Sequence, residues 1–100
     1  MAEVVVLYKT PQDAAAFDKH YAEVHIPLAK KIPGLRKYQI SQGPVMTPTG
    51  PSGVHLVARL HFDDVAAIQN AFASTEGQAA AGDLKNLGST ELLIFEAKDV

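Results

Sequence analysis

The stretch 17–35, FDKHYAEVHIPLAKKIPGL, constrains the fold more than any other part of the chain. Phe17, Tyr21, Val24 and Leu28 recur at three- and four-residue steps, which is the period of one helix face. Pro27 interrupts that helix. Proline has no backbone N–H to donate, and its ring disfavours the helical conformation at the residue before it, Ile26. The pattern predicts a break near His25–Ile26, a short second turn through Lys31, and a stop at Pro33-Gly34. Tyr21 and His25 stand four apart, so a phenol and an imidazole share the face that carries Phe17 and Leu28. Polar groups on an apolar face need partners. They are either a satisfied structural pair or the wall of a ligand pocket.

The rest of the chain fits around this helix. Residues 4–9 form a continuous β-branched and aromatic run that suits a strand buried on both faces. Thr10 is placed to cap the helix, with Pro11 at its first position and Asp13 at its positive end. A second strand spans 35–42, with Tyr38 and Ile40 on one face. The segment 43–53, GPVMTPTGPSG, is a loop, either a flap over a site or a solvated hairpin connection. Residues 54–62 alternate cleanly. Leu56, Ala58, Leu60 and Phe62 face one way, and His55, Val57, Arg59 and His61 the other. Asp63 or Asp64 caps a helix striped by Val65, Ile68 and Phe72. Ser74-Thr75 re-caps a segment reaching about Leu87, weakened as a helix by Gly77 and Gly82. Residues 90–97 are the last strand.

The order β-α-β-β-α-β predicts an α+β, ferredoxin-like fold, a four-stranded antiparallel sheet with helices on one face. The other face carries His55, Val57, Arg59 and His61, plus either Val4, Val6 and Tyr8 or Val5 and Leu7. That exceeds the apolar surface a monomer normally exposes, and two-fold pairing of sheets into a homodimer covers it.

One hundred residues predict a single domain spanning 1–100. The net charge of −2 gives no electrostatic case for nucleic acid or an anionic membrane. The cluster Lys30, Lys31, Arg36 and Lys37 suits a helix C-terminus. Without cysteine there is no thiol catalysis, disulfide or Cys-based metal site. The N-terminus MAEVVVLYK reads as a strand and not a signal peptide, and no apolar run reaches membrane-spanning length, so a cytoplasmic protein is expected. The four histidines do not form a metal site by spacing. On an ideal helix His20 and His25 diverge by roughly 140°. His55 and His61 lie about 20 Å apart along one strand. No metal and no cofactor are expected, and phosphate-loop, serine- and thiol-hydrolase motifs are absent.

Leu7-Tyr8-Lys9-x-Pro11, Phe17-x-x-His20-Tyr21-x-x-x-His25-x-Pro27-Leu28-Ala29, Lys31-x-Pro33-Gly34-Leu35 and Phe62-Asp63-Asp64, with the later Asp83-Leu84, resemble the EthD-like proteins of the dimeric α/β-barrel superfamily. The resemblance implies a dimeric α/β barrel and a role in the catabolism of small hydrophobic oxygenated compounds, of the ethyl tert-butyl ether degradation type. It also implies an association with a cytochrome P450 system. The superfamily includes muconolactone methylisomerases, cofactor-free monooxygenases and small cyclases, so the fold carries over more readily than the activity.

His25 is the candidate acid–base group, because a histidine gives or takes a proton near neutral pH. Tyr21 and Tyr38 are candidates to hydrogen-bond a carbonyl or enolate oxygen. Topology places Arg36, Tyr38 and His61 level with His25, and Tyr8 ends the first strand. These residues and His55 are the candidate ligand contacts. The layout puts His55 at the far end, whereas in the resembling muconolactone enzymes a histidine near the start of the third strand lines the pocket. Two functions fit: a cofactor-independent enzyme or accessory catabolic protein, and a non-catalytic small-molecule carrier using the same pocket. A purely structural dimer is a third.

Overall fold

The computed structural model describes residues 1–100. Strand β1 is Ala2–Lys9, followed by helix α1 (Ala14–His20), a π-helical turn (Tyr21–His25) and helix α2 (Ile26–Lys30). Strand β2 is Lys37–Ile40, and the two-residue strands β3 (Met46–Thr47) and β4 (Gly50–Pro51) pair within the loop that follows. Strand β5 is Val54–Phe62. Helices α3 (Val65–Ala73) and α4 (Thr75–Asp83), a 3₁₀ turn (Leu84–Leu87) and strand β6 (Thr90–Glu96) complete the chain. The four long strands form an antiparallel sheet in the order β2-β5-β1-β6. This is the ferredoxin-like α+β arrangement. The molecule is a slab of 35 × 35 × 18 Å, thin because one layer of helices lies on one face of the sheet.

Strand β1 is central, which accounts for its unbroken apolar run. Ala2, Val4, Val6 and Tyr8 are buried under the helices, and Val5 and Leu7 are half-buried on the open face. The strand is therefore buried on one face and not on both, because nothing in the chain covers the second. Leu56, Ala58, Leu60 and Phe62 of β5 join the helix side. On β6, the consecutive Leu92, Leu93, Ile94 and Phe95 are all exposed. No helix of the chain is long and apolar enough to cross a membrane.

Local chemistry sets the ends of the elements. Asp13, not Thr10, caps α1 by accepting from the Ala16 N–H, while the Thr10 hydroxyl donates to the Gly53 carbonyl. Asp64 caps α3, and Asp63 is left to pair with Arg36. Segment 75–83 is a full helix despite its two glycines. A Cβ at Gly77 would lie 2.0 Å from the Ala71 carbonyl oxygen, so glycine lets α4 start tight against the end of α3. The cost in helix propensity is the condition for that close approach.

Candidate functional site

The helix does not break at Pro27. Ile26 keeps helical dihedrals (φ −57°, ψ −48°), and its N–H donates to the Tyr21 carbonyl five residues back. The helix widens by one residue over 21–25, a π turn. Widening accommodates the missing N–H of Pro27 and its ring without unwinding the backbone. The side-chain register changes as a result. Where the helix closes by five-residue bonds, side chains five apart stack on one face. The divergence expected of His20 and His25 is therefore corrected: both meet the carboxylate of Asp83.

Asp83 lies in the last turn of α4 and is 8% exposed. His25 Nδ1 lies 3.0 Å from its Oδ2, His20 Nε2 lies 2.8 Å from its Oδ1, and the Asn86 amide donates to the same Oδ1 at 2.9 Å. The carboxylate accepts the Nδ1–H of His25, which leaves Nε2 as an acceptor. The Tyr8 hydroxyl donates to it at 3.4 Å. Tyr21 and Tyr38 join their hydroxyls at 2.5 Å, and the Tyr8 ring stands edge-on to Tyr21 with centroids 5.4 Å apart. All three tyrosines of the chain thus gather beside His25.

Electrostatics fixes the protonation states. Burial lowers the His25 pKa below the ordinary histidine value, against the opposing pull of Asp83. Burial also raises all three tyrosines, so they remain neutral hydroxyls. For Asp83 burial is the largest single influence and acts upward, but hydrogen bonds from Asn86, His20 and His25 together hold it below the usual carboxylate value. The resting arrangement at neutral pH is an ionised Asp83, a neutral His25 and neutral tyrosines.

His25, Tyr8 and Tyr38 line a small cavity of about 30 Å³ between sheet and helices. Its other walls are apolar and include Val4, Val6, Ile32 and Leu60, with Leu92 of β6 among the lining residues. No lysine, arginine or carboxylate lines it. Tyr21 stands outside the lining and reaches it through Tyr38. His, Asp and Glu side chains form no group of three that could hold a metal ion.

Three sequence candidates fall elsewhere. Arg36 is 60% exposed and makes a two-pronged pair with Asp63, Nη2 to Oδ2 at 2.9 Å, at the end of the sheet where its backbone N–H donates to the His61 carbonyl. His61 lies on the open face of the sheet against Gln39, 3.1 Å away, and near Glu3, so the sheet itself separates it from the cavity. His55 was assigned to the same open face. The register slips between Tyr8 and Lys9 beside it, a bulge that re-aims its side chain. His55 instead packs edge-on to Phe17 and meets Asp18 at 2.8 Å, in a separate groove beside the 43–53 loop. That loop borders this groove and not the cavity.

Asp83 is the residue that sequence reasoning left without a role. A signal was present. A carboxylate in the last turn of a helix faces the negative end of the helix dipole, so it needs donors from another element.

The profile of the EthD domain matches residues 9–89. The chain belongs to the EthD family. A solved EthD family protein from Bacillus halodurans C-125 superposes with a TM-score of 0.90 at 35% identity, over 98% of this chain and 99% of that one. An uncharacterized 11.0 kDa protein encoded in the thcB–thcC intergenic region of Rhodococcus erythropolis is 38% identical over 89 residues, 89% of this chain and 85% of that protein. SnoaB from Streptomyces nogalater, a cofactor-independent oxygenase, shares the fold at a TM-score of 0.69 and 19% identity, over 99% of this chain and 94% of that one. In this EthD chain His25, Tyr8 and Tyr38 meet at one cavity, with Asp83 and Tyr21 bonded behind them.

Proposed function

We propose that this EthD protein is a cofactor-independent proton-transfer catalyst acting on a small, neutral, oxygenated hydrophobic compound. The observation that carries the reading is the buried Asp83–His25 pair, whose Nε2, held only by a long hydrogen bond from Tyr8, lies beside an apolar cavity. In the proposed step His25 Nε2 takes a proton from a C–H or O–H next to a carbonyl. The electron pair moves onto the carbonyl oxygen, and that oxygen accepts hydrogen bonds from Tyr8 or Tyr38. Asp83 stabilises the imidazolium that forms. Tyr21 donates to Tyr38 and orients its hydroxyl. A ligand with a permanent negative charge would be buried without a cation, which costs several kcal/mol, so the cavity selects uncharged compounds. Kinship in fold with a cofactor-independent oxygenase is in keeping with a step that histidine alone can drive.

Loss of the α-proton signal of cyclohexanone, a neutral cyclic ketone, in D₂O, followed by proton NMR, tests this. Exchange that is abolished in His25→Gln is the expected result. Binding without exchange would instead favour the carrier reading, which uses the same apolar walls. Exchange undiminished in His25→Gln removes His25 from the role of base.

The open sheet face supports a homodimer with a dimeric barrel core. The accessible surface is 6245 Å², against about 5,500 Å² expected for a folded monomer of this mass. A dimeric ferredoxin-like protein from Bacteroides fragilis shares the fold at 20% identity. Association with a cytochrome P450 system rests on the family resemblance alone.

A further inference from the structure

Asp83 stands between two environments. On its inner side His25 is 7% exposed and borders the cavity. On its outer side His20 is 31% exposed and lines a separate surface groove with Asn86. His20 Nε2 approaches both carboxylate oxygens, at 2.8 and 3.1 Å. The two imidazoles therefore compete for one negative charge, and only the outer one is in contact with solvent.

We propose that His20 is a positioning residue that sets the basicity of His25 through the shared Asp83 carboxylate. With His20 neutral, Asp83 places its full charge at the His25 Nδ1–H, and His25 is the stronger base. With His20 protonated, the carboxylate is engaged by a cation, and the imidazolium of His25 loses part of its counter-charge. His20 never touches the cavity, so it acts only through Asp83. This assignment rests on reading His25 as the base of the site. The groups facing the pair are Asp83 from α4, Tyr8 from β1, Tyr21 from the π turn and Tyr38 from β2. The tyrosines stay neutral, so Asp83 and His20 are the charged groups that act on His25. Burial of His25 lowers its pKa first, and a charged His20 lowers it further against the upward pull of Asp83.

The test needs no substrate. Histidine side-chain NMR of the full-length protein, titrated from pH 8 to pH 5, follows His20 and His25 separately. In the wild type the His25 resonances are expected to show an inflection that coincides with the titration of His20. In His20→Gln, which keeps a donor for Asp83 but cannot charge, that inflection disappears and the His25 midpoint moves to higher pH. Where cyclohexanone exchange is measurable, its pH profile loses one ionisation in the same variant. A wild-type His25 curve without the coincident inflection overturns the proposal, whether or not the variant folds. So does a His20→Gln curve that superimposes on the wild type, since a purely structural donor is replaced by glutamine. Failure of cyclohexanone exchange with the NMR coupling intact would count against the base reading alone.

Discussion

Asp83 is the residue on which the site turns. It is buried, ionised and held by donors from His20, His25 and Asn86. Asp83→Asn removes a charged acceptor and leaves at least one buried donor unpaired. The expected loss of stability is about 1–3 kcal/mol, read from urea unfolding midpoints at constant slope. A loss near zero would mean that the carboxylate is not holding the histidines. Acid stability follows from the direction of the His25 shift. Its folded pKa lies below the unfolded value of about 6.5, so below that pH the unfolded chain binds the extra proton. The His25 contribution is fully present above about pH 6.5 and is lost as the pH falls through the folded value. Asp83, also lowered, adds a further loss at more acidic pH. Thermal melts across pH 8 to 5 should therefore show a decline that His25→Gln flattens.

At the scale of the element, the π turn and Gly77 place the site. Proline 27 was legible as a disruption, but whether a helix breaks or widens depends on what its neighbours demand. Here Phe17 and Tyr21 before Pro27 and Ala29 and Ile32 after it are all buried in one core, and a continuous helix keeps both sets against the sheet. Gly77 fixes the other half. Gly77→Ala puts a methyl into the Ala71 carbonyl, so α4 must slide or tilt, and Asp83 rides on its last turn. The expected cost is about 1–3 kcal/mol, as for overpacking a core. The His25 NMR resonances should shift even though position 77 is remote from the cavity. Gly82→Ala meets open space and serves as the control. An equal response from both variants would refute the packing argument.

The whole molecule is a half-covered slab. Leu93 and Phe95 of β6 share the open face with Val5 and Leu7, while Glu3 is buried there with Arg59 across it, Nε to Oε1 at 2.9 Å. Leu93→Glu should convert a dimer to monomer with little loss of secondary structure, since residue 93 is 47% exposed in the single chain. Light scattering over a dilution series measures this. A wild-type protein that is monomeric at micromolar concentration would remove the barrel from the account.

Sequence by itself determined the order of elements, the alternation of β5, a cap at Asp63 or Asp64 and the presence of Tyr21 and His25 on one helix face. These depend on local periodicity and backbone chemistry, which are carried within a few residues. The Tyr38 partner was within reach because antiparallel topology levels the start of β2 with the end of the first helix. Tertiary structure alone decided the rest. Asp83 joined His25 across 58 residues, a pairing that no local pattern encodes. A single β-bulge turned His55 off the open face, and only the packing of helices on the other face showed that His61, on the side alternation had given it, is cut off from the cavity. His20 and His25 converged because packing against the sheet kept the helix continuous, and the only way past Pro27 was one residue of added width. A continuous helix buries residues on both sides of Pro27, Tyr21 and His25 before it and Ala29 and Ile32 after it, and that burial is a property of the assembled core and not of the stretch 17–35.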